Sequence, residues 1–162
     1  MGKTVICPGS FDPLTIGHLD IIKRSSALFD KVIVVVMRNL SKNLGSFTTE
    51  ERVDFIKRCT TDLPNVEVDT YAGLLADYAR LKGASAVVKG LRAISDYDDE
   101  FRQALTNQKL NPEMETIFMV SNAEHMFLSS SVVKQVCSLG GDISTFVPKE
   151  ICEDIVKRLS QK

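Results

Sequence analysis

The residues best suited to chemistry in this 162-residue chain are one imidazole, His18, and a set of cations: Lys42, Lys89, Arg92 and, less closely tied, Arg38. Two stretches that should open helices accompany them, Gly17-His18 and Ser129-Ser130-Ser131. The free N–H groups of a helix's first turn can face an anion, and the helix dipole favours one there. Together these groups form an inventory for a polyphosphate. The sequence offers no Ser/His/Asp chain order, no spaced metal ligands and no activated nucleophile. Catalysis by positioning and charge stabilisation, as in direct phosphoryl or nucleotidyl transfer, requires none of these. An attacking group that is itself a phosphate needs no general base either.

Such residues act only if the fold brings them together. The run Pro8-Gly9-Ser10-Phe11-Asp12-Pro13-Leu14-Thr15-Ile16-Gly17-His18 follows an apolar strand at 4–7 and leads into a helix at about 17–28, with Leu19, Ile22 and Leu28 on or near one face. Its two prolines and two glycines fix the backbone, and Thr15 stands where a helix cap belongs. Taken alone, it reads equally well as an ordinary strand-to-helix turn. A second strand at 31–37 is apolar throughout, as a strand covered on both faces should be. Thr48 and Glu51 have capping-box spacing for a helix that runs until Pro64, with Val53, Ile56 and Cys59 at helical intervals.

A strand at 66–70, a helix at 74–82 ended by Gly83, a short strand at 86–88 and a helix at about 96–110 follow. The last strand is expected at 116–120, then a loop to 128, a serine-led helix closed by Gly140-Gly141, and a final helix after Pro148. Strands alternating with helices predict an α/β fold: a Rossmann-like, doubly wound, five-stranded parallel sheet flanked by helices, with C-terminal helices, in one domain over 1–162. In strand order 3-2-1-4-5 the winding reverses between strands one and four. Ligands bind beyond the carboxyl ends of strands at that reversal, so the loops at 8–18 and 89–92 should share one crevice.

Composition narrows the partners. Twenty Lys and Arg against 21 Asp and Glu give a net charge of −1, so no global field draws the chain to nucleic acid or a membrane surface. Any polyanion site must be local. Cys7, Cys59, Cys137 and Cys152 form no C-x-x-C pair and read as reduced, mostly buried thiols. The longest apolar run, 32–37, is far too short to span a bilayer, and a cytoplasmic location is expected.

Ser10-Phe11-Asp12-Pro13 with Thr15-Ile16-Gly17-His18, Ser41-Lys42, Lys89-Gly90-Leu91-Arg92 with Asp96 and Glu100, and Ser129-Ser130-Ser131 resemble the phosphopantetheine adenylyltransferase family of the T/HxGH nucleotidyltransferase superfamily. The first loop is specific to the superfamily; the later segments narrow it to this member. The resemblance implies Mg²⁺-dependent transfer of AMP from ATP to 4′-phosphopantetheine, a homohexamer, and feedback inhibition by coenzyme A.

It also implies roles. His18 matches the transition-state stabiliser at the α-phosphate, and Lys42 a residue bridging the two reacting phosphates. Arg92 matches the clamp on the β- and γ-phosphates. Ser10, Lys42, Leu75 and Lys89 match acceptor-binding positions. Ser10, Phe11, His18, Gly90, Leu91, Arg92, Glu100, His125, Ser129, Ser130 and Ser131 match the ATP side. Lys89 departs from the family's usual arginine, which loses the planar two-pronged fit to phosphate. His125 stands where relatives often place Trp or Tyr. Asn107 is a weaker pocket or subunit-contact candidate, and Asp12 and Pro13 are expected to shape the turn. Magnesium would be held mainly by the triphosphate and water.

Three other readings compete: transfer from ATP to nicotinate mononucleotide, transfer from CTP to glycerol 3-phosphate, and a nucleotide sensor without turnover. The segment at 89–92 and the serine triplet argue against the other acceptors. His18, Lys42 and Arg92 together argue against a mere binder.

Overall fold

A computed structural model describes residues 2–38 and 45–160. Five strands, β1 (Thr4–Gly9), β2 (Lys31–Met37), β3 (Val66–Tyr71), β4 (Ala86–Leu91) and β5 (Glu115–Val120), form one sheet in the order β3-β2-β1-β4-β5. Every pairing is parallel. The helices are α1 (Ile16–Leu28), α2 (Thr49–Cys59), α3 (Leu75–Lys82), α4 (Ile94–Leu110), α5 (Ser130–Ser138) and α6 (Lys149–Leu159).

Both faces of the sheet are covered, and the period-two alternation of strand side chains divides the core accordingly. Val5, Cys7, Val32, Val34, Val36 and Val88 face a large cluster with Ile22 of α1, Ile56 of α2, Val133 of α5 and Ile151 and Ile155 of α6. Ile6, Ile33, Val35 and Val87 face a smaller one with Tyr78, Ala79 and Met114. Helix termini follow local chemistry: Thr48 and Glu51 form the expected capping box, and Gly83 ends α3 at φ 61°, a conformation that costs glycine little.

Several boundaries move. β1 runs on to Gly9 and β4 to Leu91, so Lys89 and Gly90 are strand residues with fixed direction rather than loop residues. Leu28 is 68% exposed; the inner face of α1 is Ile21, Ile22 and Ser25. The stretch expected to be loop before α5 contains a 3₁₀ turn, Ala123–His125.

One feature of the register makes the crevice. β1 stays paired with β2 through Gly9↔Val36, but with β4 it pairs only at Val5↔Ala86 and Ile6↔Val87. Past that point β1 and β4 part, at the reversal of winding. α4 carries an apolar stripe, Ile94, Tyr97, Phe101 and Leu105, exposed to solvent. Among the described residues no helix is long and apolar enough to cross a membrane.

Candidate active site

The gap between β1 and β4 holds two adjoining cavities of about 530 and 440 Å³. They share Pro8, Gly9, Ser10, Lys89 and Gln103. The larger takes in His18, Arg92, Glu100, His125, Ser129 and Ser130. The smaller adds Met37, Leu75 and the α4 residues Thr106 and Asn107. Residues from opposite ends of the sequence thus meet at Ser10 and Lys89.

His18 is held in one tautomer. It is the third residue of α1, and Thr15 caps that helix by accepting the His18 backbone N–H on Oγ1 at 3.2 Å. In return the Thr15 backbone N–H donates to His18 Nδ1 at 3.1 Å. A backbone N–H can only donate, so Nδ1 is the acceptor and the neutral ring carries its proton on Nε2. Burial, with the Arg92 guanidinium near it, pushes the imidazole down to about 4. At neutral pH His18 is therefore an uncharged Nε2–H donor at a helix N-terminus. Phe11 packs edge-on against it at 5.3 Å between centroids. Phe11 has φ 48°, a left-handed conformation that costs a non-glycine residue roughly 1–3 kcal/mol and marks a backbone fixed by its surroundings. Gly9 makes room for that ring, because a Cβ there would lie 2.9 Å from it.

The cations at the cavity are paired with carboxylates. Arg92 Nε lies 3.2 Å from Asp96 Oδ2, and its Nη1 donates to the Leu128 carbonyl at 2.6 Å. Lys89 Nζ is 3.1 Å from Glu100 Oε2. That oxygen is buried, yet no donor reaches it in hydrogen-bonding geometry. The Lys89–Glu100 pair is thus an attraction without a hydrogen bond, and an anion with better-directed lone pairs can displace it.

The serine triplet divides its work. Ser129 caps α5 by accepting the Val132 N–H at 3.1 Å, and Ser130 Oγ donates to the Pro13 carbonyl at 2.7 Å, tying α5 to the first loop. Ser131 is exposed and, like Leu91, lies outside both cavity linings. Arg38 is exposed at the end of β2, also outside both. Lys42 lies outside the described residues. Burial pushes the Cys7 thiol up to about 11, against the lowering effect of Ser25, so although it borders the site it is an inert core group.

Asp12, expected to shape the turn, is 7% exposed and accepts the backbone N–H groups of Ser46 and Phe47 at 3.1 and 3.0 Å. Lys134 Nζ lies 3.1 Å and Arg52 Nε 3.4 Å from its oxygens. Burial alone would raise its carboxyl, but the two N–H groups, Lys134 and Arg52 outweigh it and hold Asp12 below the usual carboxylate range. Sequence reasoning missed Arg52 and Lys134. A weak signal existed, since Lys134 follows Ser130 by one helical turn and Arg52 follows the Thr48 cap by the same step.

Comparison with known proteins agrees with this geometry. A family model described as cytidylyltransferase-like matches residues 6–136. A phosphopantetheine adenylyltransferase of Clostridium botulinum (strain Alaska E43 / Type E3) is 51% identical over 156 residues, 96% of this chain and 98% of that protein. One from Caldanaerobacter subterraneus subsp. tengcongensis is 48% identical over 159 residues, 98% and 99% of the two chains. The chain belongs to the phosphopantetheine adenylyltransferase family.

Among solved structures, a bifunctional NMN adenylyltransferase/ADP ribose pyrophosphatase from Francisella tularensis superposes with TM-score 0.75 at 17% identity. It covers all of this chain, which spans about half (51%) of that protein. The same type of protein from that organism complexed with AMP and a Mn ion gives 0.69 at 18%, covering 100% of this chain and 50% of that one. At such identities the likeness is one of fold, and the Rossmann-like α/β architecture expected from the sequence is the one observed. The two adjoining cavities share Ser10 and Lys89 in their linings.

Proposed function

We propose that this chain transfers the adenylyl group of ATP to 4′-phosphopantetheine, giving 3′-dephospho-coenzyme A and pyrophosphate in coenzyme A biosynthesis. The observation that carries this reading is the meeting of the two cavities at Ser10 and Lys89, with His18 lining the larger one. In the larger cavity Arg92 takes the β- and γ-phosphates, with donors from the α5 N-terminus behind Ser129 and Ser130. In the smaller, the pantetheine arm lies along Leu75 and Asn107, with its phosphate at Ser10 and Lys89.

A phosphate oxygen of phosphopantetheine attacks the α-phosphorus in line. The new P–O bond forms as the bond to the α–β bridging oxygen breaks, and that electron pair leaves with pyrophosphate. No covalent enzyme intermediate forms. His18 donates from Nε2 to an α-phosphate oxygen as charge builds there, and a neutral donor accomplishes this without losing its proton. Lys42 belongs, by the same reading, between the two reacting phosphates.

Among the described residues no three His, Cys, Asp or Glu side chains converge as a metal cage. Magnesium would be held by the triphosphate and water rather than by protein side chains, and would supply neutralising charge there. Self-association as a homohexamer is supported by the exposed apolar stripe on α4. Feedback by coenzyme A is supported by its chemistry, since it shares the pantetheine arm that the smaller cavity would hold. A cytoplasmic site of action fits a biosynthetic enzyme with no charge bias toward membranes.

An acceptor panel tests the assignment. With MgATP or MgCTP and each of 4′-phosphopantetheine, nicotinate mononucleotide and glycerol 3-phosphate, dephospho-coenzyme A with equimolar pyrophosphate is expected only from ATP and phosphopantetheine. Turnover of another acceptor, or binding of ATP without turnover, would contradict it.

A further inference from the structure

The node around Asp12 sits behind the cavity wall and is assigned no part in the reaction above. Its partners come from separate parts of the fold: Ser46 and Phe47 before α2, Arg52 on α2, and Lys134 on α5. Arg52 does three things at once. Beside its 3.4 Å approach to Asp12, it donates twice to the Phe47 carbonyl, at 2.8 and 2.6 Å, and its Nη1 donates to the Ser10 carbonyl at 3.3 Å. The backbone at Gly45 passes so close that a Cβ there would strike both the Arg52 guanidinium and the Asp12 carboxylate.

Burying a carboxylate between two cations is a poor way to gain stability, because the desolvation cost roughly cancels the attraction; fixing geometry is the better-attested use. The geometry fixed here is that of the Ser10–Phe11 peptide. Its bond is trans, so tethering the Ser10 C=O to Arg52 turns the Phe11 N–H the opposite way, off the α2 side. The same peptide leads into Phe11, held at φ 48° with its ring against His18. Ser10 and Phe11 both line the larger cavity, and Ser10 lies at its junction with the smaller one.

We propose that Asp12, Arg52 and Lys134 are positioning residues for adenylyl transfer. They lock the Ser10–Phe11 peptide so that its N–H and the His18 ring are aimed at the reacting phosphate before substrate arrives. This rests on the reading under Proposed function. The node acts on the transition state more than on substrate binding, because Asp12, Arg52 and Lys134 line neither cavity, whereas Ser10, which Arg52 holds, lies at their junction. Displacement of such groups by about an ångström costs on the order of 100-fold in rate.

The test compares the intact protein with Asp12→Asn, Arg52→Met, Arg52→Lys and Lys134→Met, each checked for cooperative melting. Single-turnover rates and KM for both substrates are then measured per folded molecule. Asp12→Asn should lose about 100-fold in kcat with KM for ATP and phosphopantetheine changed less than about threefold. Lys134→Met, which keeps the stem and removes a charge from the rim of the node, should lose about tenfold, and Arg52→Lys should recover part of what Arg52→Met loses. The chain has only two histidines, so ¹⁵N spectra of labelled His18 give a second readout. Its ring signals should move in Asp12→Asn and Lys134→Met, while those of His125 stay. Folded variants with kcat within twofold of the parent and unmoved His18 signals would overturn the proposal. So would kcat held constant while both KM values rise. A parent enzyme that makes no dephospho-coenzyme A fails differently: it removes the functional reading, and the inference with it.

Discussion

Two ionic clusters, one lining the cavity and one behind the loop at 8–18, are built for opposite purposes. At the cavity, Arg92 faces Asp96, with side chains 37% and 30% exposed, and Lys89 faces a Glu100 oxygen that no hydrogen-bond donor satisfies. Behind the loop, the side chains of Asp12 and Arg52 are 10% and 12% exposed, and both Asp12 oxygens take directed backbone N–H bonds. The first cluster pairs cations provisionally. A partly exposed pair such as Arg92–Asp96 is worth about 0.2–1 kcal/mol, and the Lys89–Glu100 pair, with side chains 19% and 24% exposed, has no directed hydrogen bond to hold it. The second pairs them permanently, since a hydrogen bond to a buried charge contributes roughly 1.5–3 kcal/mol and leaves an unmet charge when broken. The same residue types thus hold the place of a ligand in one position and hold a backbone in the other.

The largest expected effect that sharpens this contrast is at Arg92. If its partnership with Asp96 is provisional and its work is on the phosphates, Arg92→Ala should lower kcat/KM for ATP by about 10²–10³. Its melting temperature should stay within a few degrees of the parent by calorimetry. A large loss of stability with ATP use nearly intact would place Arg92 with the structural cluster instead.

A smaller effect of opposite sign is expected at its partner. Asp96→Asn removes the competing carboxylate, so ATP should bind about two- to fivefold more tightly by titration calorimetry, the amount an exposed pair of this kind is worth. Weaker ATP binding in Asp96→Asn would mean that Asp96 positions Arg92 as Asp12 positions its loop, and the distinction between the clusters would collapse.

What could be read in the sequence divides along a related line. Strand order was legible because alternation of apolar strands with capped helices leaves few topologies, and the crevice between β1 and β4 follows from that order. His18 was legible because Gly17-His18 opens a helix after a strand. Its role in the cap was not, because Thr15-x-x-His18 carries capping-box spacing with an imidazole where Glu or Gln is usual. The pairing of Arg52 and Lys134 with Asp12 was hidden for a plainer reason. Asp12 and Lys134 are 122 residues apart, and a charged residue on a helix is by default a solvated one. Strand ends fall later than expected, at Gly9 and Leu91, because glycine and proline read as punctuation, whereas ladder bonds to β2 and β5 carry the strands on to those two residues.

The most direct measurement is the single-turnover rate of dephospho-coenzyme A formation from MgATP and 4′-phosphopantetheine, in the parent and in His18→Ala. If the neutral Nε2–H acts on the α-phosphate as proposed, His18→Ala should fold and bind ATP normally yet form product about 10²–10³ times more slowly. A rate for His18→Ala near that of the parent, with the same product, would contradict the placement of the chemistry at this imidazole.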